Sequence, residues 1–466
     1  MNGTAINPDI PLAVIFPLPF QILALVGLAI LGWATNLHGL DVAGIDVISS
    51  MDLRTDVSSP LPAHYPAPRQ SSGLVALYRS VYRIFIAYAS LCFASWIVYR
   101  YTTHGDARLV DVFGYIPGMV ALSLVCILLC PYNILHKTER RKFLQAIRRC
   151  LLSSSDSPVY FSDVVLADIF TSFAQVIGDV WLSLCMLLPG HSILNPTAGV
   201  GLSRWILPTV MSFPSLVRLR QCVIEYSHQS NTSRRPLYNA LKYATAFPVI
   251  YLSAAQRITI ADAAVAEAAD KAWYGEQALF RLWLLAAMVN SLYSFWWDVT
   301  NDWGFELLTP RSEEQTREPR SPPKRLVLPD LHSAAPLNPG SNSYDTPISP
   351  GETTRLSPGR FSYSKYYQPQ GLRATLHFPV LLYHFLIIFD LVLRLTWSMK
   401  LFSVLNVNSA ASIGNFCLKA AELFRRWMWV FIRVEWEMIK KGRDGKRIDD
   451  DVAEYELIPS ATIERT

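Results

Sequence analysis

Apolar residues in this 466-residue chain gather in blocks of about twenty with few or no charges, and polar residues gather between them. A block of that length matches the hydrocarbon thickness of a bilayer crossed by a helix. Blocks at 12–35, 76–99, 110–130, 160–188, 200–222, 237–255, 278–297, 378–402 and 411–433 give about nine candidate spans. The segments 200–222 and 237–255 are the weakest, because both contain Pro and charges. Segment 12–35 carries no charge, and no Lys or Arg precedes Arg54. The basic region of a cleaved signal peptide is therefore missing, and the block reads as a retained first span. The expected fold class is an all-α polytopic membrane protein.

Composition agrees with the pattern. Hydrophobic residues make up 51% of the chain, charged residues only 17%, and mean hydropathy is +0.23; soluble domains carry about 25% charged residues. A soluble enzyme, a secreted disulfide scaffold and a nucleic-acid-binding module are excluded. The seven cysteines fall mostly inside apolar blocks or beside basic loops. Cys126 and Cys130 lie one helical turn apart with no second pair of ligands nearby, so they read as packing residues. No metal or other cofactor is expected.

Loop charge sets the orientation. Loop 131–158 has net charge +4, loop 217–237 has +3, and the stretch from Arg433 to Arg447 has +3. Between them, 189–199 is neutral and 256–277 is −2. Basic loops and the C-terminus are therefore expected in the cytosol, and an odd number of spans places the N-terminus in the lumen. Segment 36–75 departs from the alternation at −2, and a re-entrant or additional span is the alternative there. Residues 307–372 hold 11 of the 30 prolines and no long apolar run. Such a composition does not bury enough surface to offset chain entropy, so a disordered cytosolic loop is expected. Its Ser321, Thr346, Ser349 and Ser357 each precede proline. They read either as sites for proline-directed kinases or as parts of a spacer. The expected organisation is N-terminal spans and a basic loop over 1–158, and a membrane core over 159–306. The loop 307–372, last helices over 373–440 and a cytosolic tail over 441–466 complete it.

Ionisable residues inside apolar spans are costly unless paired or facing water. Asp168, Ser172, Gln175 and Asp179 recur at i, i+4, i+7 and i+11, lining one helix face with Thr171 beside it. Lys242 and Tyr243 adjoin Asn239. Asp298 and Asp302 sit one turn apart in FWWDVTNDWG, Asp390 and Arg394 are spaced i, i+4 with Trp397 a turn later, and Arg425 and Arg426 lie mid-block. Adjacent arginines point about 100° apart and so face different neighbours. This set suits either a buried structural network or an anion path. Guanidinium forks match phosphate oxygens in pairs and stay charged at any pH.

The strings LADIFTSF (166–173), RLRQCVIEY (218–226), NALKY (239–243), WWDVTNDWG (296–304), DLVLRLTW (390–397) and ELFRRWMWVFIRVEWE (422–437) occur in an order that resembles the EXS family, the membrane domain of eukaryotic phosphate exporters. The resemblance spans roughly 160–440 without the 307–372 insert. It implies an EXS-type helical bundle whose substrate path is lined by Asp168, Lys242, Tyr243, Asp298, Asp302, Arg394, Trp397, Arg425 and Arg426. Thr171 stands where the large exporters have Asn. Those exporters also carry an N-terminal SPX sensor domain, and only about 11 residues precede the first span here. The resemblance is therefore to short members without that sensor, Golgi proteins required in fungi for retention of ER luminal proteins. It implies inorganic phosphate as the transported partner, returned to the cytosol after luminal glycosylation, and a role in glycosyltransferase recycling.

Two other readings compete. One is a membrane scaffold that recruits sorting adaptors, with its charges purely structural. The other is a polytopic glycosyltransferase, disfavoured because the luminal loops are short; the run ADAAVAEAAD (261–270) reads as a solvated helix. No enzymatic activity is expected. Homodimerisation, and the choice between channel and carrier, stay open at this point.

Overall fold

A computed structural model describes residues 12–51, 71–133, 136–153, 159–187, 201–229, 231–266, 269–307, 371–373, 375–395 and 410–456. Among the described residues every regular element is helical. In chain order they are α1 (Leu12–Ile15), α2 (Leu18–Val42), α3 (Val47–Ser50), α4 (Ser71–Thr103), α5 (Ala107–Val112), α6 (Tyr115–Leu129), α7 (Lys137–Leu152) and α8 (Phe161–Ser172). Then come α9 (Ala174–Met186), α10 (Ile206–Ser227), α11 (Arg235–Ala244), α12 (Ala246–Ala266), α13 (Ala269–Trp297), α14 (Val380–Arg394) and α15 (Ala410–Glu456).

Four stretches among the described residues are long and apolar enough to cross a bilayer: Leu18–Val42, Gly73–Thr103, Arg108–Leu129 and Gln277–Asp302. The pair α8 and α9, bent by 60°, makes a fifth if taken as one broken span. The other expected spans correspond to helices of mixed composition or lie partly outside the described residues. Helix α10 contains Pro214 and Arg218, and α15 continues as one helix well past residue 433 into the expected tail. The stretch 396–409, with Trp397, lies outside the described residues, as do 52–70 and 308–370. The expectations of a disordered 307–372 loop and of phosphorylation there therefore stay with the sequence.

Helix α2 is the axis of the bundle, packed by α4, α9 and α15. Close approach depends on missing side chains: a Cβ on Gly39 would lie 2.7 Å from the Phe431 ring, the small-residue contact typical of membrane helices. The outer face of α4 shows Ile86, Phe93 and Ile97, as a lipid-facing surface requires. The largest buried apolar cluster gathers Leu37 and Leu40 from α2, Phe161 and Val165 from α8, Tyr383 and Ile387 from α14, and Trp429, Val430, Ile432 and Val434 from α15. It sets the end of the bundle near which the polar groups below converge.

The segment after α13 returns to its own start. Glu306 N–H donates to the Gly371 carbonyl at 3.0 Å, and Gly371, at φ +76, rests against Leu307. Beyond this neck Arg373 lies 3% exposed between the rings of Phe305, Tyr383 and Trp436, and pairs with the fully buried Glu435.

Candidate functional site

Three interruptions in helices build the site, each with a local cause. The block 160–188, expected as one straight span, breaks at Phe173. Thr171 Oγ1 donates to the Asp168 carbonyl at 2.7 Å, and such hydroxyl back-bonding bends helices. The block 237–255 is likewise divided, at Thr245. Pro248 lacks an N–H and its ring clashes with the Ala244 carbonyl four residues back, so α11 stops there. The third is a π-helical turn, Asp298–Asp302, at the end of α13. Such turns insert a residue into the helical ladder and are frequent at functional sites. This one presents both carboxylates to the same cation.

Lys242 Nζ donates to Asp298 Oδ1 at 2.7 Å and to Asp302 Oδ2 at 3.2 Å. Asp298, with no exposed surface, also pairs with Arg394 and lies 3.8 Å from Arg425. Arg394 Nε donates back to Asp390 at 2.9 Å, and Arg425 Nη1 reaches the other Asp390 oxygen at 3.1 Å. Arg425 further grips Glu422 with Nε at 2.9 Å and Nη2 at 2.6 Å. Asp168 accepts from the Tyr243 hydroxyl and from Arg218 Nε. Every cation named here is bound to carboxylate.

Arg426 differs. Its side chain points away from that of Arg425, as adjacent helical positions must. Nε donates to Ser172 Oγ and Nη2 to Thr171 Oγ1, both at 3.1 Å, and the guanidinium lies 4.6 Å from the Trp429 ring centre. No carboxylate lies within ion-pair distance among the described residues, and Nη1, buried, meets no hydrogen-bond acceptor there. The residue is 6% exposed. A buried cation so placed retains donors for an incoming oxyanion. It stands at the α8–α9 break, where α9 opens with the positive end of its dipole. Arrangements of this kind, a half-helix N-terminus beside a cation in a broken span, recur where membrane proteins hold anions.

Of the ten residues singled out from sequence, nine meet in this one region: Asp168, Thr171, Lys242, Tyr243, Asp298, Asp302, Arg394, Arg425 and Arg426. Trp397 lies outside the described residues. Sequence reasoning missed three participants. Arg218 was counted as loop charge, yet is 2% exposed and paired with Asp168 at 2.7 Å, with Tyr243 beneath it. Glu422 was noted only as part of a motif. Arg433 was assigned to the basic tail, but lies 3.8 Å from Asp302 and 3.0 Å from Glu437. The available signal was helical spacing: Lys419, Arg426 and Arg433 recur every seven residues on α15.

A buried, ionised interior among helices that span a bilayer defines a polytopic helical membrane protein. The chain belongs to the EXS family, whose sequence pattern matches residues 16–439. It is 26% identical to Protein ERD1 homolog 1 of Schizosaccharomyces pombe over 438 residues, 91% of each chain. It is 22% identical to Protein ERD1 of Kluyveromyces lactis over 398 residues, 84% of this chain and 86% of that one. It is also 25% identical to Phosphate transporter PHO1-2 of Oryza sativa subsp. japonica over 205 residues, 43% of this chain and 23% of that protein.

Proposed function

We propose that this protein is a Golgi membrane transporter that moves inorganic phosphate from lumen to cytosol. The observation that carries the reading is Arg426: buried, unpaired with any carboxylate among the described residues, and with Nη1 unused. Leaving a buried cation unpaired costs several kcal/mol, about 3–5 when a partner is lost. An oxyanion taken up there repays that cost. Thr171 and Ser172 hold the guanidinium in register, and the paired cations around it keep the interior polar without competing for the anion. The name of the rice relative supports phosphate as the cargo. Asp168, Lys242, Tyr243, Asp298, Asp302, Arg394, Trp397 and Arg425 then line the path.

The same reading has about nine spans, a cytosolic C-terminus and no enzymatic step. It has phosphate export from the lumen supporting glycosyltransferase recycling and ER luminal retention, with adaptors and glycosyltransferases meeting the cytosolic faces. The test is phosphate flux into liposomes containing the purified full chain. Flux above that of protein-free liposomes is expected; none would overturn the reading. Protease added outside sealed Golgi vesicles is expected to cleave within 307–372, and resistance there would overturn the orientation.

A further inference from the structure

Helix α7 stands apart from the charged interior, and both of its ends are tied to the ends of other helices. At its start Arg140 Nη1 donates to the Cys130 carbonyl at 2.9 Å and Nη2 to the Tyr132 carbonyl at 3.3 Å. These carbonyls lie just past the C-terminus of α6, where basic side chains are favourable. Ser80 of α4 donates to Glu139 Oε1 at 3.1 Å. At the far end Arg149 grips Asp163, in the first turn of α8, at 2.7 and 2.8 Å. Arg220 of α10 donates to the Leu151 carbonyl at 2.6 Å. Helix α6 belongs to a stretch long and apolar enough to cross a bilayer, and α8 opens the bent pair. The 16 residues of α7 therefore run from the end of one to the start of the other, for about 24 Å by the rise of an α-helix. By the loop charges this end of the bundle is cytosolic.

Six residues of α7 are basic and one, Glu139, is acidic. Arg140 and Arg149 are spent on the ties just described. Lys137, Arg141, Lys142 and Arg148 make no ion pair or side-chain hydrogen bond among the described residues, and the last three are exposed. Arg141 and Arg148 follow Lys137 by four and eleven residues, so the three form one row along the helix. Beside it runs an apolar row of Leu144, Ile147 and Leu151, with Phe143 adjoining; Phe143 and Leu151 are exposed. Lys137, Thr138, Arg141, Lys142 and Gln145 also line a shallow cavity of about 260 Å³. A cationic row beside an exposed apolar one is the pattern of a helix lying in a membrane interface. We infer that α7 seats the headgroup phosphates of anionic phospholipids on Lys137, Arg141, Lys142 and Arg148, with the apolar row in the acyl boundary. An acidic peptide would match the charges but leave Phe143 and Leu151 in water. The inference goes beyond the phosphate reading and stands whether or not the chain carries phosphate.

The test uses the purified full chain in detergent micelles, titrated with phosphatidylserine or with phosphatidylcholine of the same acyl chains. Native mass spectrometry counts the lipid-bound species. Each basic residue near an anionic headgroup layer contributes about fivefold, so the wild-type chain should prefer phosphatidylserine at least about tenfold. A fourfold variant carrying Lys137→Gln, Arg141→Gln, Lys142→Gln and Arg148→Gln is expected to lose at least about tenfold in phosphatidylserine affinity. Its phosphatidylcholine affinity should stay within about twofold, and its melting temperature near that of the wild type, because these side chains have no protein partner to lose. Where the fourfold variant does not fold, the pairs Lys137→Gln with Arg141→Gln and Lys142→Gln with Arg148→Gln carry the test, each expected to cost about fivefold or more. Exchanging Lys for Arg and Arg for Lys at the four positions keeps the charge and should keep the preference within about threefold. An unchanged phosphatidylserine affinity in the Gln variants, or an equal loss for both lipids, would overturn the inference. So would displacement of phosphatidylserine by an equal concentration of glycerophosphoserine or inorganic phosphate, which would make this a site for soluble anions.

Discussion

Replacing Arg426 by lysine keeps the buried positive charge but removes the planar fork. In the native arrangement two guanidinium nitrogens are spent on Ser172 and Thr171 at 3.1 Å, and Nη1 remains for cargo. A lysine ammonium that reaches the same hydroxyls has fewer donors left and cannot hold two phosphate oxygens in one plane. Losing one hydrogen bond to a charged partner costs about 1.5–3 kcal/mol, which is about 10- to 150-fold in apparent affinity. Stacking on Trp429 at 4.6 Å is also weakened, a change of about 1 kcal/mol. The fold should therefore lose only a few degrees of thermal stability while KM for phosphate rises at least tenfold. Arg425→Lys is the matched comparison, because Arg425 is bound to Glu422 and Asp390; there stability should fall first. Initial flux rates and melting curves on the same liposome and detergent samples separate the two. A wild-type KM in Arg426→Lys would refute direct coordination, and so would a flux loss that merely tracked a melting-temperature loss as large as that of Arg425→Lys.

Asp298→Asn should be the most damaging neutral substitution in the network, because one carboxylate with no exposure serves Lys242, Arg394 and Arg425; a loss of about 3–5 kcal/mol is expected, seen as failed accumulation or a sharply lowered melting temperature. Gly304→Ala should destabilise by about 2 kcal/mol or more, since the residue sits at φ +67 and a Cβ would lie 2.5 Å from the Trp436 ring; thermal unfolding checks it. Burial pushes the Cys150 thiol up to about 11. A raised thiol pKa means the folded state holds its proton more tightly, so this group's contribution is flat below about pH 8.5 and is lost as pH climbs towards 11. Accordingly, Cys150 should react slowly with maleimide at pH 7.5 and rapidly once the chain is unfolded by denaturant, as read by mass spectrometry.

Much of this site was legible because burying charge is expensive. Lys242, Asp298, Asp302, Arg394, Arg425 and Arg426 stood out in apolar blocks, and all six converge. What the chain did not disclose is where a polar residue ends a loop and enters a span. Arg218 sits at such a boundary, and net loop charge absorbed it. Helix breaks were also hidden. A periodicity of 3.6 survives a 60° bend at Phe173, since Thr171 and Ser172 interrupt the backbone without interrupting the pattern. Pro248, one of the reasons segment 237–255 reads as weak, did announce the break at Thr245. The number of spans is harder to read by composition alone: four or five stretches among the described residues are long and apolar enough to cross a bilayer, while α10 and α15 carry buried arginines among their apolar residues.

The neck formed by Glu306 and Gly371 bears on how this chain can be altered. Its two ends are fixed 3.0 Å apart by a backbone hydrogen bond, independently of what connects them. The neck holds these two ends by its own hydrogen bond, whereas a single residue added at α11 or in the π-turn would misplace Lys242 against Asp298. A reporter domain joined through that neck would meet two ends that the bundle already holds together, so its attachment would not have to bring them into place.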